Sequence, residues 1–313
     1  MNSGSSVLLR LQMGAIAFVL LALPAIAQTG GIPGVIAPGE TPQLVQENFT
    51  FLEGPVGTAD GGLIFSDIRV NKTYLLDSAG RISEIAENTN GSNGLALAKQ
   101  GELVRAEGDG RRISRVNRNG TVVTLTDNYR GMPLLAPNDL ILDAKGGIYF
   151  TDPGPRPVVP RRPTYVFYLP PGAKQPVAED TTIARPNGLV LTMDGRTLIV
   201  DDTIGPNVFA FDIDPSGTLK NKRVFAQLRD VPAGQESGAD GMAIDRQDRI
   251  YVTTVSGVQV FDKQGRYLGT IKAGRQAANA AFSGSDKSVL YLTAREGLYR
   301  INTMTQGPER LGK

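Results

Sequence analysis

The chain has 313 residues, and 33 basic against 31 acidic side chains give it a formal net charge of +2. Histidine, cysteine and tryptophan are absent, which excludes disulfides, thiol nucleophiles, histidine bases and metal sites built from His or Cys ligands. The near-neutral charge gives no electrostatic reason to expect a nucleic-acid partner.

The N-terminal residues have the pattern of an export signal. A polar start that includes Arg10 is followed by an apolar run of about 14 residues and then by A-I-A at 25–27, a small-x-small cleavage pattern. A membrane anchor is the alternative, but the run is shorter than the ~20 residues that span a bilayer. We predict a signal peptide at 1–27 and a periplasmic or secreted protein. Residues 28–42 are rich in Gly and Pro and are predicted to be a surface leader.

The rest of the chain contains an internal repeat. Each copy has a polar residue, a short apolar run, a polar turn that usually contains Gly, and a second β-rich run, which is the pattern of a hairpin. The copies start at Glu53, Asn93, Asn138, Asn187, Asp240 and Asn279. Successive starts lie 39 to 53 residues apart, a spacing typical of the blades of a propeller.

Each of these hairpins is followed by more strand-like sequence. After the first copy come T-Y-L-L-D, a turn at 78–80 and R-I-S-E-I-A. Four strands per repeat predict an all-β fold, a six-bladed propeller over 43–313. The last repeat lacks its outermost strand, which Gln43–Thr50 can supply, closing the ring. A pair of β-sandwiches is the rival fold, but it does not explain six copies.

The residue that opens each copy is polar, and the repeat predicts that all six converge at one rim of the central channel. The alternative is that Asn-Gly and Asp-Gly are turn dipeptides. Two of the six, Glu53 and Asp240, are carboxylates, which repel each other unless a cation lies between them. Carboxylate and amide oxygens suit a hard divalent cation such as Ca²⁺ or Mg²⁺.

Several short motifs resemble the gluconolactonase family, the superfamily of senescence marker protein 30 (SMP-30/gluconolactonase/LRE). They are L-E-G-P, F-S-D-I, A-P-N-D-L, Y-F-T-D-P, R-P-N-G-L, A-D-G-M and G-L-Y-R-I, and they extend from about Phe51 to Ile301. The resemblance implies a six-bladed propeller with a divalent metal at one end of the channel. It also implies a carboxylic ester hydrolase that opens a small-molecule lactone, without nucleic acid or, once the signal is removed, a membrane.

The resemblance, together with the predicted ring, points to roles for individual residues. The metal ligands are Glu53, Asn138, Asn187 and Asp240, with Ca²⁺ expected first and Mg²⁺, Mn²⁺ or Zn²⁺ as alternatives. Asp240 is the first candidate for the catalytic base. Asp139, adjacent to Asn138, is the second. Asn138 and Asn93 are the candidates for substrate contact.

The chain departs from the family pattern at two places. Ala136 stands where animal-type members carry an Arg, and Glu107-Gly108-Asp109 stands where many bacterial relatives read E-H-G. Both departures concern substrate contacts, whereas the metal ligands are retained. Two other functions stay open: a non-enzymatic binding propeller, and an aryl-ester or phosphotriester hydrolase that uses the same site.

Overall fold

The structure is a computed structural model that describes Met1, residues 30–156 and residues 163–309. We number its strands in chain order, beginning with β1 (Gln43–Glu47). Blade 1 contains β2 (Leu52–Gly57), β3 (Leu63–Asp67), β4 (Lys72–Leu76) and β5 (Ile82–Glu87). Blade 2 contains β6 (Ser92–Leu97), β7 (Leu103–Glu107), β8 (Arg112–Val116) and β9 (Val122–Thr126). The short strands β10 (Asn128–Tyr129) and β11 (Met132–Pro133) follow.

The remaining four blades have the same design. Blade 3 contains β12 (Leu140–Leu142), β13 (Ile148–Asp152), β14 (Tyr165–Leu169) and β15 (Val177–Asp180). Blade 4 contains β16 (Pro186–Leu191), β17 (Thr197–Asp202), β18 (Asn207–Ile213) and β19 (Leu219–Gln227). Blade 5 contains β20 (Met242–Ile244), β21 (Ile250–Thr254), β22 (Gly257–Phe261) and β23 (Tyr267–Ile271). Blade 6 contains β24 (Asn279–Ser283), β25 (Val289–Ala294) and β26 (Gly297–Asn302).

The blades close into a ring. β1 pairs antiparallel with β26 and becomes the fourth strand of blade 6. The innermost strands touch in the cyclic order β2, β6, β12, β16, β20, β24 and back to β2. The predicted all-β, six-bladed propeller closed by an N-terminal strand is therefore confirmed. One short 3₁₀ turn, Ile68–Val70, is the only helical element among the described residues.

The hairpins owe their tight turns to Asp and Gly. In blade 3, Asp143 Oδ1 accepts hydrogen bonds of 2.8 Å from both Lys145 N and Gly147 N. Gly146 has a φ of 87°, a conformation that glycine adopts without steric cost. Such Asx-type turns direct the chain back along the preceding strand. This turn lies at the end of β12 that is remote from Asn138.

The hydrophobic core is divided among the seams between neighbouring blades. In the seam between blades 3 and 4, Tyr149 packs with Leu189 and Val200. The Tyr149 hydroxyl donates to Gly217 O at 2.6 Å, which satisfies its polar atom in a buried place. Successive side chains along a strand point to opposite faces of the blade. Because both faces are buried against neighbouring blades, one strand contributes core residues to two seams.

The leader is not on the surface throughout, so that prediction is wrong for its middle. Ile32, Val35 and Ile36 are only 1%, 0% and 2% exposed and join the core between blades 5 and 6. A Cβ on Gly269 of β23 would lie 2.8 Å from Ile32. Burying each of these side chains contributes roughly 1.5–3 kcal/mol, so the leader stabilises the closed ring.

The predicted signal peptide, 1–27, lies outside the described residues apart from Met1. In the part of the chain that the structure describes, no helix is both long and apolar enough to cross a membrane.

Candidate functional site

The opening segments of the six blades touch one another in a closed circle. Each is joined to the next by a hydrogen bond or by a close backbone approach. Gly94 N donates to Asn138 O at 2.8 Å, Thr151 Oγ1 to Asn187 O at 2.7 Å, Gly241 N to Ala278 O at 2.7 Å, and Asn279 Nδ2 to Glu53 Oε2 at 3.1 Å. At Gly54 and Gly188, an added Cβ would lie 1.8 Å from Asn93 O and 2.0 Å from Asp240 O. The opening residues therefore meet at one end of the ring.

The polar-Gly dipeptides are not turns. Gly54, Gly94 and Gly188 lie inside the inner strands β2, β6 and β16. The pairing register of each strand shifts directly after its dipeptide, as in a β-bulge. These glycines are required because the neighbouring blade occupies the place of a side chain. The alternative that the dipeptides are ordinary turn signals is wrong for these blades.

The sixth copy of the repeat is one residue out of register. Ala278 N bonds to Thr293 O, as Asn138 N bonds to Thr151 O and Asp240 N to Thr253 O. Ala278 therefore holds the opening position of blade 6. Asn279 holds the position of Gly54, Gly94, Gly188 and Gly241, which is Asp139 in blade 3, and a Cβ on Gly241 would fall 1.8 Å from the Cγ of Asn279. Its amide nevertheless reaches the ring, because it donates to Glu53.

Glu53, Asn187 and Asp240 come together in this ring. Glu53 and Asn187 are 3% and 6% exposed, and Asp240 is partly exposed. Burial raises the pKa of Asp240 well above its usual range, and the charge of Glu53 adds to this rise. The Arg295 guanidinium and the Asn187 side chain act in the opposite direction. Two carboxylates from blades 1 and 5 thus share one buried electrostatic environment.

These side chains fit a divalent cation. Asn187 Nδ2 donates to Thr203 Oγ1 at 3.1 Å, which leaves Asn187 Oδ1 buried without a hydrogen-bond partner. An orphaned amide oxygen beside two carboxylates suits a hard cation. Within residues 30–156 and 163–309, no three carboxylates come together at metal-binding spacing. The set therefore consists of two carboxylates supplemented by amide oxygens.

The other predicted site residues lie on the same ring. Asn93 and Asn138 are partly exposed, as expected of groups that contact a substrate. Asn93 Oδ1 is buried without a hydrogen-bond partner. Asp139 is completely buried, and its Oδ1 accepts a hydrogen bond from Leu140 N at 2.9 Å. Its charge contributes to the raised pKa of Asp240, which places it near the two carboxylates.

Carboxylates at the ends of the second strands hold the segments that lead into the ring. Asp152 accepts hydrogen bonds of 2.7 Å from Leu135 N and Ala136 N. Asp202 accepts from Arg185 N at 2.9 Å, and Asp67 from Phe51 N at 2.9 Å. These three residues bond the backbone just before Asn138, Asn187 and Glu53. They orient the candidate ligands rather than bind an ion themselves.

Two residues near the site were missed by sequence reasoning. Asp201 occupies the place of Ser66, Thr151 and Thr253, whose hydroxyls donate to backbone oxygens in the next blade. Burial raises the pKa of Asp201 well above its usual range. The aligned repeat could have revealed it as the one carboxyl at a hydroxyl position. Arg295, after β25, carried no repeat signal.

A cavity lies at the other end of the ring. It has a volume of about 1040 Å³ and is bordered by hairpin turns of blades 2, 3 and 4, among them those at Gln100, Gly146 and Gly195. None of the opening residues lines it. Because the paired carboxylates lie at the opposite end, the chemistry of the site does not involve this cavity.

Comparison with known proteins identifies the family of this chain. A family model described as SMP-30/Gluconolactonase/LRE-like region matches residues 51–296. The chain is 28% identical over 295 residues to a gluconolactonase from Zymomonas mobilis, covering 85% of this chain and 82% of that protein.

The chain is also similar to solved structures over most of its length. A gluconolactonase from Xanthomonas campestris has 30% identity and a TM-score of 0.76, with 85% of this chain and 90% of that chain covered. A calcium-binding protein, regucalcin, from Agrobacterium tumefaciens shares the fold, with 18% identity, a TM-score of 0.74 and coverage of 86% and 96%. Because the family model matches well over half of the chain, this protein belongs to the SMP-30/gluconolactonase/LRE-like family.

Proposed function

We propose that this protein is a metal-dependent hydrolase that opens the ring of a small lactone. The observation that carries the proposal is the close pair of Glu53 and Asp240, which share an environment with the orphaned oxygen of Asn187. The gluconolactonases of Zymomonas mobilis and Xanthomonas campestris, which this chain resembles over most of its length, support the same substrate class.

The cofactor we propose is a single divalent ion, Ca²⁺ before Mg²⁺, Mn²⁺ or Zn²⁺. Glu53, Asp240 and Asn187 would hold it, with Asn138 as a fourth ligand. An oxygen-only ligand set without His or Cys favours the hard cations. When bound, such an ion polarises the carbonyl of a substrate and makes a nearby water more acidic.

A side chain of the protein would transfer the proton during the reaction. The Asp240 carboxylate accepts a proton from the attacking water as the new carbon–oxygen bond forms. It returns a proton to the ring oxygen as the ester bond breaks, so that the product is a hydroxy acid. Asn93 and Asn138, which are partly exposed on the same ring, can hydrogen-bond to the substrate and orient it.

Asp240 is a better candidate for the base than Asp139. A base must come within hydrogen-bond reach of the water whose proton it accepts. Asp240 is partly exposed, whereas Asp139 is fully buried and one of its oxygens is engaged by Leu140 N. Asp139 supports the site through its charge and its contact with Gly94, where a Cβ would lie 2.4 Å from its Oδ1.

The test is a substrate panel on metal-stripped protein reconstituted with each of the four ions. We expect hydrolysis of aldonolactones that is lost with chelator and restored by one or more ions. Turnover of aryl esters or phosphotriesters without lactone hydrolysis would favour the alternative hydrolase. No turnover of any substrate at any metal load would leave the binding propeller and contradict the proposal.

We also propose that the protein is exported and that residues 1–27 are removed. The proposal rests on the short apolar run and the A-I-A pattern before Gln28. Ile32 is the first of the three leader residues buried between blades 5 and 6. Cleavage before Gln28 therefore leaves this part of the core intact. Mass spectrometry of the native protein should give a chain that begins near Gln28, and a full-length mass would contradict it.

A further inference from the structure

The seam between blades 1 and 2 contains an arginine where the other seams contain apolar side chains. Arg105 lies on β7 opposite Leu95 of β6. The same position is apolar in the other blades, where it joins the core of the corresponding seam. It is occupied by Phe65, Phe150, Val200, Val252 and Leu292. Blade 2 therefore has a permanently charged side chain at a position where the other five blades have a core residue.

Arg105 has no partner of its own. It is 6% exposed, and its Nε–H is buried without a hydrogen-bond acceptor. None of the ion pairs among the described residues includes it. Removing a guanidinium from water without a compensating charge is costly. The opposite charge that acts on Arg105 within the protein is the Glu107 carboxylate.

The nearest carboxylate is already occupied. Glu107 follows two residues after Arg105 on the same strand and therefore shares its face. It accepts hydrogen bonds from Arg112 Nε at 2.6 Å, Ser114 Oγ at 2.5 Å and Asn90 Nδ2 at 3.2 Å. One carboxylate thus faces two guanidinium groups. Among these three side chains, one positive charge is left without a carboxylate of its own.

Unpartnered hydroxyls lie in the same seam. Ser92 pairs with Glu107 across the sheet and shares the face of Arg105. Thr73 pairs with Ser66, whose hydroxyl donates across the seam to Asn93 O at 3.1 Å. The hydroxyl oxygens of Ser92 and Thr73 are buried without a hydrogen-bond partner. Each can donate a hydrogen bond, as can the Nε–H of Arg105.

We propose that the seam between blades 1 and 2 is a binding site for a small inorganic anion of the size of chloride. Its ligands are the Arg105 guanidinium and the hydroxyls of Ser92 and Thr73. A water molecule could accept the same hydrogen bonds, but it would leave the positive charge uncompensated. Because Arg105 is almost completely buried, a small ion fits beside it better than the carboxylate of a larger molecule.

The test measures the thermal unfolding of the mature chain as chloride or bromide replaces methanesulfonate at constant ionic strength. We expect the midpoint to rise by several degrees and then to saturate, because a ligand that binds only the folded state stabilises it. Arg105→Leu, which introduces the residue of blade 6 at this position, should abolish the rise. Arg118→Leu, at an exposed arginine of the same blade, should retain it.

A second measurement covers the case in which Arg105→Leu does not fold. Crystals of the unaltered protein grown with bromide should show an anomalous peak against the Arg105 guanidinium. A midpoint that does not depend on halide, together with no such peak, would overturn the proposal. A halide-dependent rise that persists in Arg105→Leu would overturn it as well.

Discussion

Asp240→Asn is expected to lower lactone hydrolysis by at least about a thousandfold, and saturating metal should not restore it. The substitution removes a ligand charge and the proposed base together, and a positioned base alone contributes roughly 10²–10⁴-fold. Adding metal can refill the site by mass action, but it cannot replace the group that accepts the proton. The measurement is turnover against metal concentration, with metal occupancy followed in the same samples.

Glu53→Gln is the informative partner of this variant. It removes one negative charge, roughly preserves the shape, and keeps an oxygen that can accept from Asn279 Nδ2. We expect metal affinity to fall roughly ten- to a hundredfold, since ligand charge sets the affinity of such sites. Activity should largely return at high metal concentration. Asp194→Asn, at an exposed turn on the opposite end of blade 4, is the control and should behave like the unaltered protein.

One outcome would reassign the base. If Asp240→Asn regains full activity once metal is saturating, Asp240 is a ligand only. Asp139→Asn then becomes the next variant to measure. Because Asp139 is fully buried, its folding has to be checked by thermal unfolding before its turnover is interpreted.

Gly188→Ala is expected to lower the free energy of unfolding by about 3 kcal/mol and to weaken metal binding, although it changes no ligand. An added Cβ would lie 2.0 Å from Asp240 O and 2.9 Å from Asp201 Oδ2. The backbone of blade 5 would have to move, and this movement would displace Asp240 from Asn187. Denaturant midpoints and metal titrations of the purified variant measure the two effects.

Gly108→Ala is the matched control for this variant. Gly108 also lies at the end of the ring that carries the site, but its nearest atom to an added Cβ is Gly91 O at 3.5 Å, an ordinary contact. We expect its unfolding free energy to change by less than about 0.5 kcal/mol. Equal stability of the two variants would show that the contact between blades 4 and 5 is not tight.

The sequence by itself determined the fold. Alternating apolar residues, Asp and Gly turns and the repeat spacing are local signals, and each hairpin depends on residues close in the chain. For the same reason the ring of opening residues follows from the repeat, and the closing strand is predicted within Gln43–Thr50, where the structure has it at Gln43–Glu47. The repeat places Glu53, Asn187 and Asp240 on this ring, and the resemblance to the gluconolactonase family selects them as candidate ligands.

Only the tertiary structure decided how neighbouring blades meet. Asn279 reaches Glu53 across 226 residues of chain, and no local pattern distinguishes it from an opening residue. Ile32 and Val35 are buried because blades 5 and 6 leave a seam that fits them. In the sequence, Arg105 looks like an ordinary strand residue. Only the burial of the residues at the same position in the other blades shows that Arg105 occupies a core position. Such features depend on packing between elements far apart in sequence, which periodicity along one strand does not encode.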